Sequence, residues 1–256
     1  MVKKSKTSLI KLQKGLSIVS PWPAVYIENE DTLVVADLHL GLEDDLQSKG
    51  LYLPSSTFPT ILENIITPVT DLSCKKIVLL GDIKHEFGRP NEAEWWGVRR
   101  LIKKLSEMNC EPSIIRGNHD NYIVYLSKEL GVATYDRSLT VDDYLLFHGH
   151  LALNQAEANT HNIIMGHEHP SIQIRDTLGV KHRYKAFLHG DIGDKTFTIL
   201  PSVSPLTLGS DVNIMPYSEM LSPLLRGENL DKVTPYALDI GTAIQKFPNL
   251  GELRGI

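Results

Sequence analysis

The sequence predicts an α/β protein, and two observations carry the prediction. In the first half of the 256-residue chain, short runs of β-branched and aliphatic residues alternate with segments of helical periodicity. This alternation is typical of parallel strands in one sheet with helices between them. In the second half the apolar runs follow one another with little helical sequence between them, which indicates a second sheet of mixed strand direction.

The individual elements follow from these runs and from the helical spacings. The runs typical of strands are Ala24–Ile27, Thr32–Ala36, Lys76–Leu80, Ser113–Ile115, Tyr144–Phe147, Asn162–Met165, Ser171–Ile174, Ala186–Leu188 and Thr196–Leu200. The segments typical of helices are Leu42–Ser48, Thr57–Ile66, Glu92–Met108 and Asn121–Leu130.

The third helix has the clearest pattern. Asn91 and Glu94 have the spacing of a capping box, and an apolar stripe begins at Trp95. Trp96 falls nearly opposite that stripe, on a face that it shares with Arg99, Arg100 and Lys103. Three interpretations of Trp96 remain open: a contact in a homodimer, cover by the chain's own loops, or stacking on a base of nucleic acid.

The length is consistent with one domain over residues 1–256. We expect a catalytic core at about residues 20–205 and a C-terminal extension at about 206–256 packed on that core. The first 27 residues contain five lysines and no acidic residue. We interpret them as a solvated terminus before the first strand, with a basic arm as the alternative.

Composition excludes several classes of protein. The net charge of −5 argues against strong nonspecific binding of nucleic acid by the whole surface. No apolar run reaches the length of about 18 residues that a membrane span needs, and no apolar segment typical of a signal peptide follows the N-terminal lysines. Only Cys74 and Cys110 are present, which excludes a disulfide framework and favours a reducing, cytoplasmic location.

Five short segments contain the residues suited to chemistry. Each begins with an apolar, strand-like run and ends in Asp, Asn or His. The segments end in Asp37-Leu38-His39, Gly81-Asp82, Gly117-Asn118-His119-Asp120, His148-Gly149-His150 and Gly166-His167-Glu168-His169. Because ligand sites in open α/β sheets lie beyond the carboxyl ends of strands, we expect these side chains to meet at one sheet edge.

The side chains of these segments are suited to metal ions. On an extended strand Asp37 and His39 would point the same way, as would His167 and His169. Together the segments supply more ligands than the three or four of one catalytic zinc, which suits two ions that share a bridging carboxylate. Nitrogen and oxygen ligands without thiolate favour Mn, Fe, Zn or Ni.

In this order, the five segments resemble the signature of the calcineurin-like metallophosphoesterase superfamily over roughly residues 32–170. The resemblance implies a four-layer αββα sandwich with a two-metal site at the sheet edge. Asp-Leu-His-Leu-Gly, Gly-Asp-x-Lys-His-Glu-Phe and Pro-Ser-x-Ser-Pro-Leu are most similar to archaeal phosphoesterases related to the SbcD nuclease. They are also similar to bacterial DNA-ligase-associated phosphoesterases.

The resemblance also implies roles for individual residues. The first metal would be held by Asp37, His39 and His169, the second by Asn118, His148 and His167, with Asp82 as the bridge. His119 resembles the catalytic histidine of the family that is not a ligand, and Asp120 would orient it. We expect two divalent metal ions. Mn is the expected metal, and Fe, Zn and Ni are the alternatives.

These roles predict a two-metal phosphoester hydrolase. We expect a phosphodiesterase on nucleotides or nucleic acid, in which a hydroxide bridging the metals attacks phosphorus. The alternatives are a phosphomonoesterase on small molecules and a non-catalytic calcineurin-like scaffold, although the complete ligand set argues against a scaffold. A metallo-β-lactamase-type hydrolase would need His-x-His-x-Asp-His, which is absent. The expected partner is the phosphoester substrate, with a homodimer as a further expectation and no membrane.

One departure from the family bears on the substrate. Phosphoprotein phosphatases have Gly-Asp-x-x-Asp-Arg-Gly where this chain has Gly81–Phe87 without arginine, which argues against protein phosphatase activity. His85 in this segment could contact the substrate or simply pack beside the site. The remaining histidines have no matched role and are interpreted as structural; they are His150, His161, His182 and His189.

Overall fold

The first sheet contains seven strands, and it begins earlier in the chain than expected. The computed structural model describes residues 6–51, 53, 56–207 and 209–254. The strands lie in chain order: β1 Ser8–Gln13, β2 Leu16–Ser20, β3 Val25–Ile27, β4 Thr32–Val35, β5 Lys76–Leu80, β6 Glu111–Ile115 and β7 Ala133–Tyr135. Neighbouring strands are antiparallel from β1 to β4 and parallel from β4 to β7.

Helices connect the parallel strands of this sheet. Two of them, α1 Leu42–Ser48 and α2 Phe58–Leu72, lie between β4 and β5. The third, α3 Glu92–Glu107, begins at the predicted capping box of Asn91 and Glu94. The fourth, α4 Ile123–Leu130, precedes β7. These crossovers explain why β4 to β7 are parallel, since each helix returns the chain to the same end of the sheet.

The second sheet is built from the remaining strands. They are β8 Ser138–Val141, β9 Tyr144–Phe147, β10 Asn162–Met165, β11 Pro170–Arg175, β12 Lys181–Ile192, β13 Lys195–Ile199, β14 Ser210–Asp211, β15 Thr234–Asp239 and β16 Ala243–Lys246. The order is β14-β11-β12-β13-β10-β9-β8, and β15 pairs with β12 and β16. The β9–β10 and β10–β13 pairs are parallel, whereas β12 is antiparallel to its partners.

Three apolar cores separate four layers. In β4, Leu33 and Val35 face a core shared with the helices, whereas Val34 faces a core between the two sheets. The outer face of the second sheet packs on the C-terminal segment that includes the last helix, α5 Leu250–Leu253. The alternation along β4 is the period of two that a strand buried on both faces requires. The predicted αββα arrangement with two mixed sheets is confirmed.

The expectation for the N-terminus was wrong over residues 8–20. Leu16 and Ile18 are fully buried in the core between the sheets, because β2 pairs with β3. The lysines Lys3 and Lys4 lie outside the described residues. In the part of the chain that the structure describes, no helix has the length and apolar character needed to cross a membrane.

Candidate metal centre

The five polar segments follow β4, β5, β6, β9 and β10, and the structure brings them together. Backbone hydrogen bonds join the loops after β4 and β5: the amide of Asp37 donates to Gly81 at 3.1 Å, and that of His39 donates to Asp82 at 2.9 Å. The amide of His119 donates to the Asp82 carboxylate at 3.0 Å. The amide of His167 donates to the Asp37 carboxylate at 3.0 Å. The side chains of both aspartates therefore face the site and also hold the neighbouring loops through hydrogen bonds.

The backbone of these loops is left-handed at five of the predicted ligands. The φ angles are 60° at Asp37, 46° at His39, 51° at Asp82, 68° at His167 and 45° at His169. The prediction that each pair shares a direction because it lies on an extended strand was therefore wrong, since β4 ends at Val35 and β10 at Met165. Non-glycine residues in this conformation are unfavourable unless their surroundings hold them, and such strain gathers at functional sites.

Three groups of donor atoms result: two of them share Asp82, and the third consists of His39, His85 and His119. Within each group, one donor atom from every residue lies within 4.8 Å of the others. The first group is Asp37, His39, Asp82 and His169; the second is Asp82, His148 and His167.

Short distances join the donor atoms of each group. In the first group, His39 Nε2 is 3.2 Å from His169 Nε2, and His169 Nε2 is 3.3 Å from Asp37 Oδ1. In the second, His148 Nε2 is 3.3 Å from Asp82 Oδ2.

The donor set fits two divalent cations. Asn118 Oδ1 and His148 Nε2 are buried and have no well-aligned hydrogen-bond partner among the described residues. Such orphaned atoms cost free energy unless a ligand satisfies them. Two buried carboxylates, imidazole nitrogens and an amide oxygen are the donors that borderline and hard divalent ions take. Their division around one carboxylate suits a pair of ions rather than one.

Burial and charge shift the pKa values of this group in opposite directions. Burial opposes the charged form of His148, but the Asp82 and Asp37 carboxylates and the Leu80 carbonyl together raise its pKa to about 9. His148 in turn holds the pKa of Asp82 well below its ordinary value, again against burial. Burial lowers the pKa of His39 to about 3 and that of His167 to about 4. Those two imidazoles are neutral at pH 7, which is the state that binds a metal.

Two glycines allow the loops to approach one another. A Cβ atom at Gly81, which has φ of 78°, would lie 2.1 Å from the ring of His148. A Cβ atom at Gly117 would lie 2.1 Å from Asp82 Oδ1. Any other residue at these positions would displace a predicted ligand, so the glycines of the two motifs are needed for the site itself.

The structure places His119 at the rim of the site and Asp120 beneath it. His119 Nε2 lies 3.8 Å from Asp82 Oδ2, and its Nδ1 is hydrogen-bonded to the carbonyl oxygen of His85. Asp120 is fully buried, and its carboxylate accepts hydrogen bonds from the amides of Ile83 at 3.0 Å and Gly117 at 2.9 Å. The group that orients His119 is therefore the His85 carbonyl, whereas the expected contact from Asp120 is replaced by bonds that hold the loops.

Sequence reasoning assigned no role to His150, which lies beside the second group. Its ring centroid is 5.3 Å from that of His148 and 6.1 Å from that of His167. Burial lowers its pKa to about 4. The His-Gly-His motif is the sequence signal that could have identified His150.

His85 contacts the first group. Its Nδ1 lies 3.4 Å from His39 Nδ1, and its Nε2 lies 3.5 Å from Asp45 Oδ2.

Trp96 lies outside these groups. It is 52% exposed, and its ring packs on Phe58 and on the guanidinium of Arg100. The interpretation that the chain's own loops cover it was wrong, because half of the side chain reaches solvent. Arg99 is already paired with Glu129 at 2.8 Å.

Comparisons with known proteins agree with this geometry. A family model described as Calcineurin-like phosphoesterase matches residues 31–232. Among solved structures, the nuclease MPE of Pseudomonas putida is 20% identical, with a TM-score of 0.64 over 94% of this chain and 100% of that chain. At this identity the match shows the fold alone.

Two further structures are less similar. Yfce, a phosphoesterase from E. coli, is 18% identical with a TM-score of 0.40, over 85% of this chain and 98% of that chain. Vps29 from Entamoeba histolytica, complexed with zinc, is 12% identical with a TM-score of 0.36, over 84% of this chain and 96% of that chain. A comparison with curated proteins found no match.

Proposed function

Because the chain belongs to the calcineurin-like phosphoesterase family and is a metal-dependent phosphoesterase, we propose that its substrates are phosphodiesters of nucleotides or nucleic acid. The observation that carries the proposal is the pair of donor groups that meet at Asp82. Two adjacent cations are suited to displacement at phosphorus, where negative charge builds on several oxygens at once. The similar fold of a nuclease supports the choice of diester.

We assign the ions to the residues of the two groups that share Asp82 and to Asn118, whose buried Oδ1 has no partner among the described residues. One would be held by Asp37, His39 and His169, the other by Asn118, His148 and His167, with Asp82 between them. Bound there, the ions supply a Lewis acid for the phosphoryl oxygens and a lower pKa for a water molecule. We propose Mn, with Fe, Zn and Ni as alternatives, since the donors contain no thiolate.

His119 is the residue that we assign to proton transfer and charge stabilisation. Because its Nδ1–H donates to the His85 carbonyl, Nε2 is the nitrogen directed at the Asp82 side of the site. In the imidazolium form, Nε2–H donates to a phosphoryl oxygen or protonates the leaving oxygen. A positioned general acid of this kind contributes about 10²–10⁴-fold to the rate.

Three further assignments belong to the proposal. The motifs after β4 and β5 support placement near the phosphoesterases related to the SbcD nuclease. The free, buried thiols of Cys74 and Cys110 support a reducing, cytoplasmic location. The half-exposed Trp96 supports a homodimer.

A substrate panel tests the proposal. Bis-p-nitrophenyl phosphate, p-nitrophenyl phosphate, 2′,3′-cyclic nucleotides and single-stranded DNA are incubated with the Mn-loaded protein, with Asp82→Asn as the inactive control. We expect hydrolysis of the diesters to exceed that of the monoester. Turnover of the monoester alone would instead identify a phosphomonoesterase, and no turnover in any arm would favour a scaffold.

A further inference from the structure

Phe87 lies at the mouth of the metal centre and is unusually exposed for its size. It belongs to the loop between β5 and α3, and 54% of its surface reaches solvent. One part of the ring is covered by His119: the ring centroids are 3.8 Å apart and the planes differ by 29°. The ring of His85 also stacks with His119, at 5.4 Å. Phe87 therefore contacts the residue that we assign to proton transfer and keeps much of its surface free.

The backbone around Phe87 is held from both sides. Lys84 is fully buried, and its ammonium donates to the carbonyl oxygens of Glu86 and Gly88, the latter at 3.2 Å. The carbonyl oxygen of Phe87 itself accepts from the Asn121 side chain at 3.2 Å. The ring is thus displayed by a fixed backbone, without being buried.

Glu94, at the start of α3, ties the same loop to the helix. One oxygen of its buried carboxylate accepts from the amides of His85 at 3.0 Å and Glu86 at 2.7 Å. The other oxygen accepts from the amide of Asn91 at 2.8 Å. A ring that is half exposed gains less from burial than a core residue does, so these polar contacts and the stacking on His119 hold it in place.

The burial of the site residues shows which side faces the substrate. The side chains of Asp37 and His148 have no exposed surface and that of Asp82 has 3%. His119 is 14% exposed, His169 18% and His85 23%. The open side therefore includes these three histidines, and Phe87 stacks on one of them, His119. The free part of the Phe87 ring therefore lies beside this open side.

We propose that Phe87 is a stacking platform for the nucleobase of the nucleoside esterified to the scissile phosphate. Every base has a flat π surface, so this platform favours nucleoside diesters over alkyl diesters without reading the sequence of bases. The inference rests on the proposed function and deepens it, since it names the residue that selects the substrate class.

The test uses two diesters that share one leaving group. Thymidine 5′-(4-nitrophenyl) phosphate and methyl 4-nitrophenyl phosphate both release 4-nitrophenol and differ only in the second ester. The Mn-loaded wild type is compared with Phe87→Ala, Phe87→Leu and Phe87→Trp. Tyr125→Ala is the matched control, because Tyr125 is also an exposed aromatic residue but lies outside the metal-centre groups.

We expect Phe87→Ala and Phe87→Leu to lower kcat/KM for the thymidine ester about tenfold relative to the methyl ester, through KM. Phe87→Trp and Tyr125→Ala should keep the wild-type ratio. An equal loss for both esters through kcat would show that Phe87 only supports His119 and would overturn the proposal, as would an unchanged ratio in Phe87→Ala.

A binding measurement separates this inference from the proposed function. If the wild type hydrolyses neither ester, the proposed function fails, and calorimetry with thymidine 5′-monophosphate and methyl phosphate still decides the role of Phe87. Phe87→Ala should then weaken binding of the nucleotide about tenfold and leave that of methyl phosphate unchanged. Equal affinities of wild type and Phe87→Ala for the nucleotide would reject the platform.

Discussion

The carboxylate of Glu168 accepts a hydrogen bond from the backbone amide of Ser222 at 3.1 Å. Glu168 is fully buried between the predicted ligands His167 and His169, and it also accepts from the amide of Leu221 at 3.0 Å. The hydroxyl of Ser222 donates to the carbonyl oxygen of Gly149 at 2.7 Å, next to His148. The segment between β14 and β15 therefore braces two of the loops that carry the metal centre.

Glu168→Gln should destabilise the protein and weaken metal binding. The amide oxygen can replace Oε2, which accepts from both backbone amides, but the NH₂ group then faces the Leu221 amide where Oε1 now accepts at 3.3 Å. The charge that strengthens these hydrogen bonds is also lost. Hydrogen bonds to charged groups contribute about 1.5–3 kcal/mol each, and we expect a loss of about 2 kcal/mol in the free energy of unfolding. Urea denaturation measures it. Glu219→Gln, at an exposed position, is the control, and equal stability of the two variants would disprove the brace.

Asp82→Asn should remove both ions, because Asp82 is shared by two donor groups. His39→Ala and His167→Ala should each weaken one ion and leave the other, since each histidine belongs to only one of the two groups that share Asp82. Metal analysis after saturation with Mn and removal of loosely bound metal should give a ratio near two for the wild type. A wild-type ratio of one that persists in excess Mn would contradict the shared-carboxylate arrangement.

His119→Ala should keep the metals and lose turnover by about 10²–10⁴-fold. The side chain lies at the rim and is held by the His85 carbonyl, whereas the buried Oδ1 of the neighbouring Asn118 has no partner among the described residues. Asn118→Ala should therefore weaken a metal instead. Parallel metal analysis and kinetics on the two variants check this, and the reverse result would exchange the two roles.

Lys185→Met should lower stability, and the difference from wild type should grow at alkaline pH. The ammonium of Lys185 donates to the carbonyl oxygens of Ser202 at 3.0 Å and Ser204 at 2.7 Å. The hydroxyl of Ser202 in turn donates to the carbonyl oxygen of Asp37 at 2.6 Å. Without Lys185 these acceptors lose their donor, at a cost of about 1–3 kcal/mol.

The pH dependence follows from the direction of the pKa shift. Burial lowers the pKa of Lys185 to about 8 from an ordinary 10.5, so between these values the unfolded chain binds more protons than the folded protein. Wild-type stability therefore rises with pH across this window relative to Lys185→Met. Urea midpoints of both proteins at pH 7, 8.5 and 10 measure the difference. A constant difference across the three values would show that Lys185 has an ordinary pKa.

Trp96→Ala should lower the mass that light scattering measures. Trp96 is half exposed beside a shallow cavity of about 820 Å³, which Trp95, Arg99 and Lys103 also line. Tryptophan and arginine are enriched in protein interfaces, and we expect a homodimer to use this face. Tyr125→Ala, at another exposed aromatic residue, should leave the mass unchanged. If the Trp96 variant has the wild-type mass, the dimer does not use this face.

Local patterns were sufficient for the strands and helices around the site. The runs Lys76–Leu80, Tyr144–Phe147 and Asn162–Met165 coincide with β5, β9 and β10, since short buried strands have continuous apolar sequence. The capping box of Asn91 and Glu94 set the start of α3. By contrast, β15 pairs with β12, which is distant in the chain, and the apolar side chains Leu16 and Ile18 of β2 are buried against the other sheet, so tertiary contacts contribute to both strands.

The sequence by itself determined that aspartates, an asparagine and histidines follow five strands. Because such strands bring their carboxyl ends to one edge, it also determined that these residues lie near one another. Only the tertiary structure decided how the side chains divide into two groups around Asp82, since the left-handed loops at Asp37 and His167 redirect the ligands away from the strand alternation. It also decided the contacts of Glu168 with Ser222 and of Phe87 with His119. Both contacts join segments that are distant in the chain, and such contacts produce no recognisable pattern of residue spacing in the sequence.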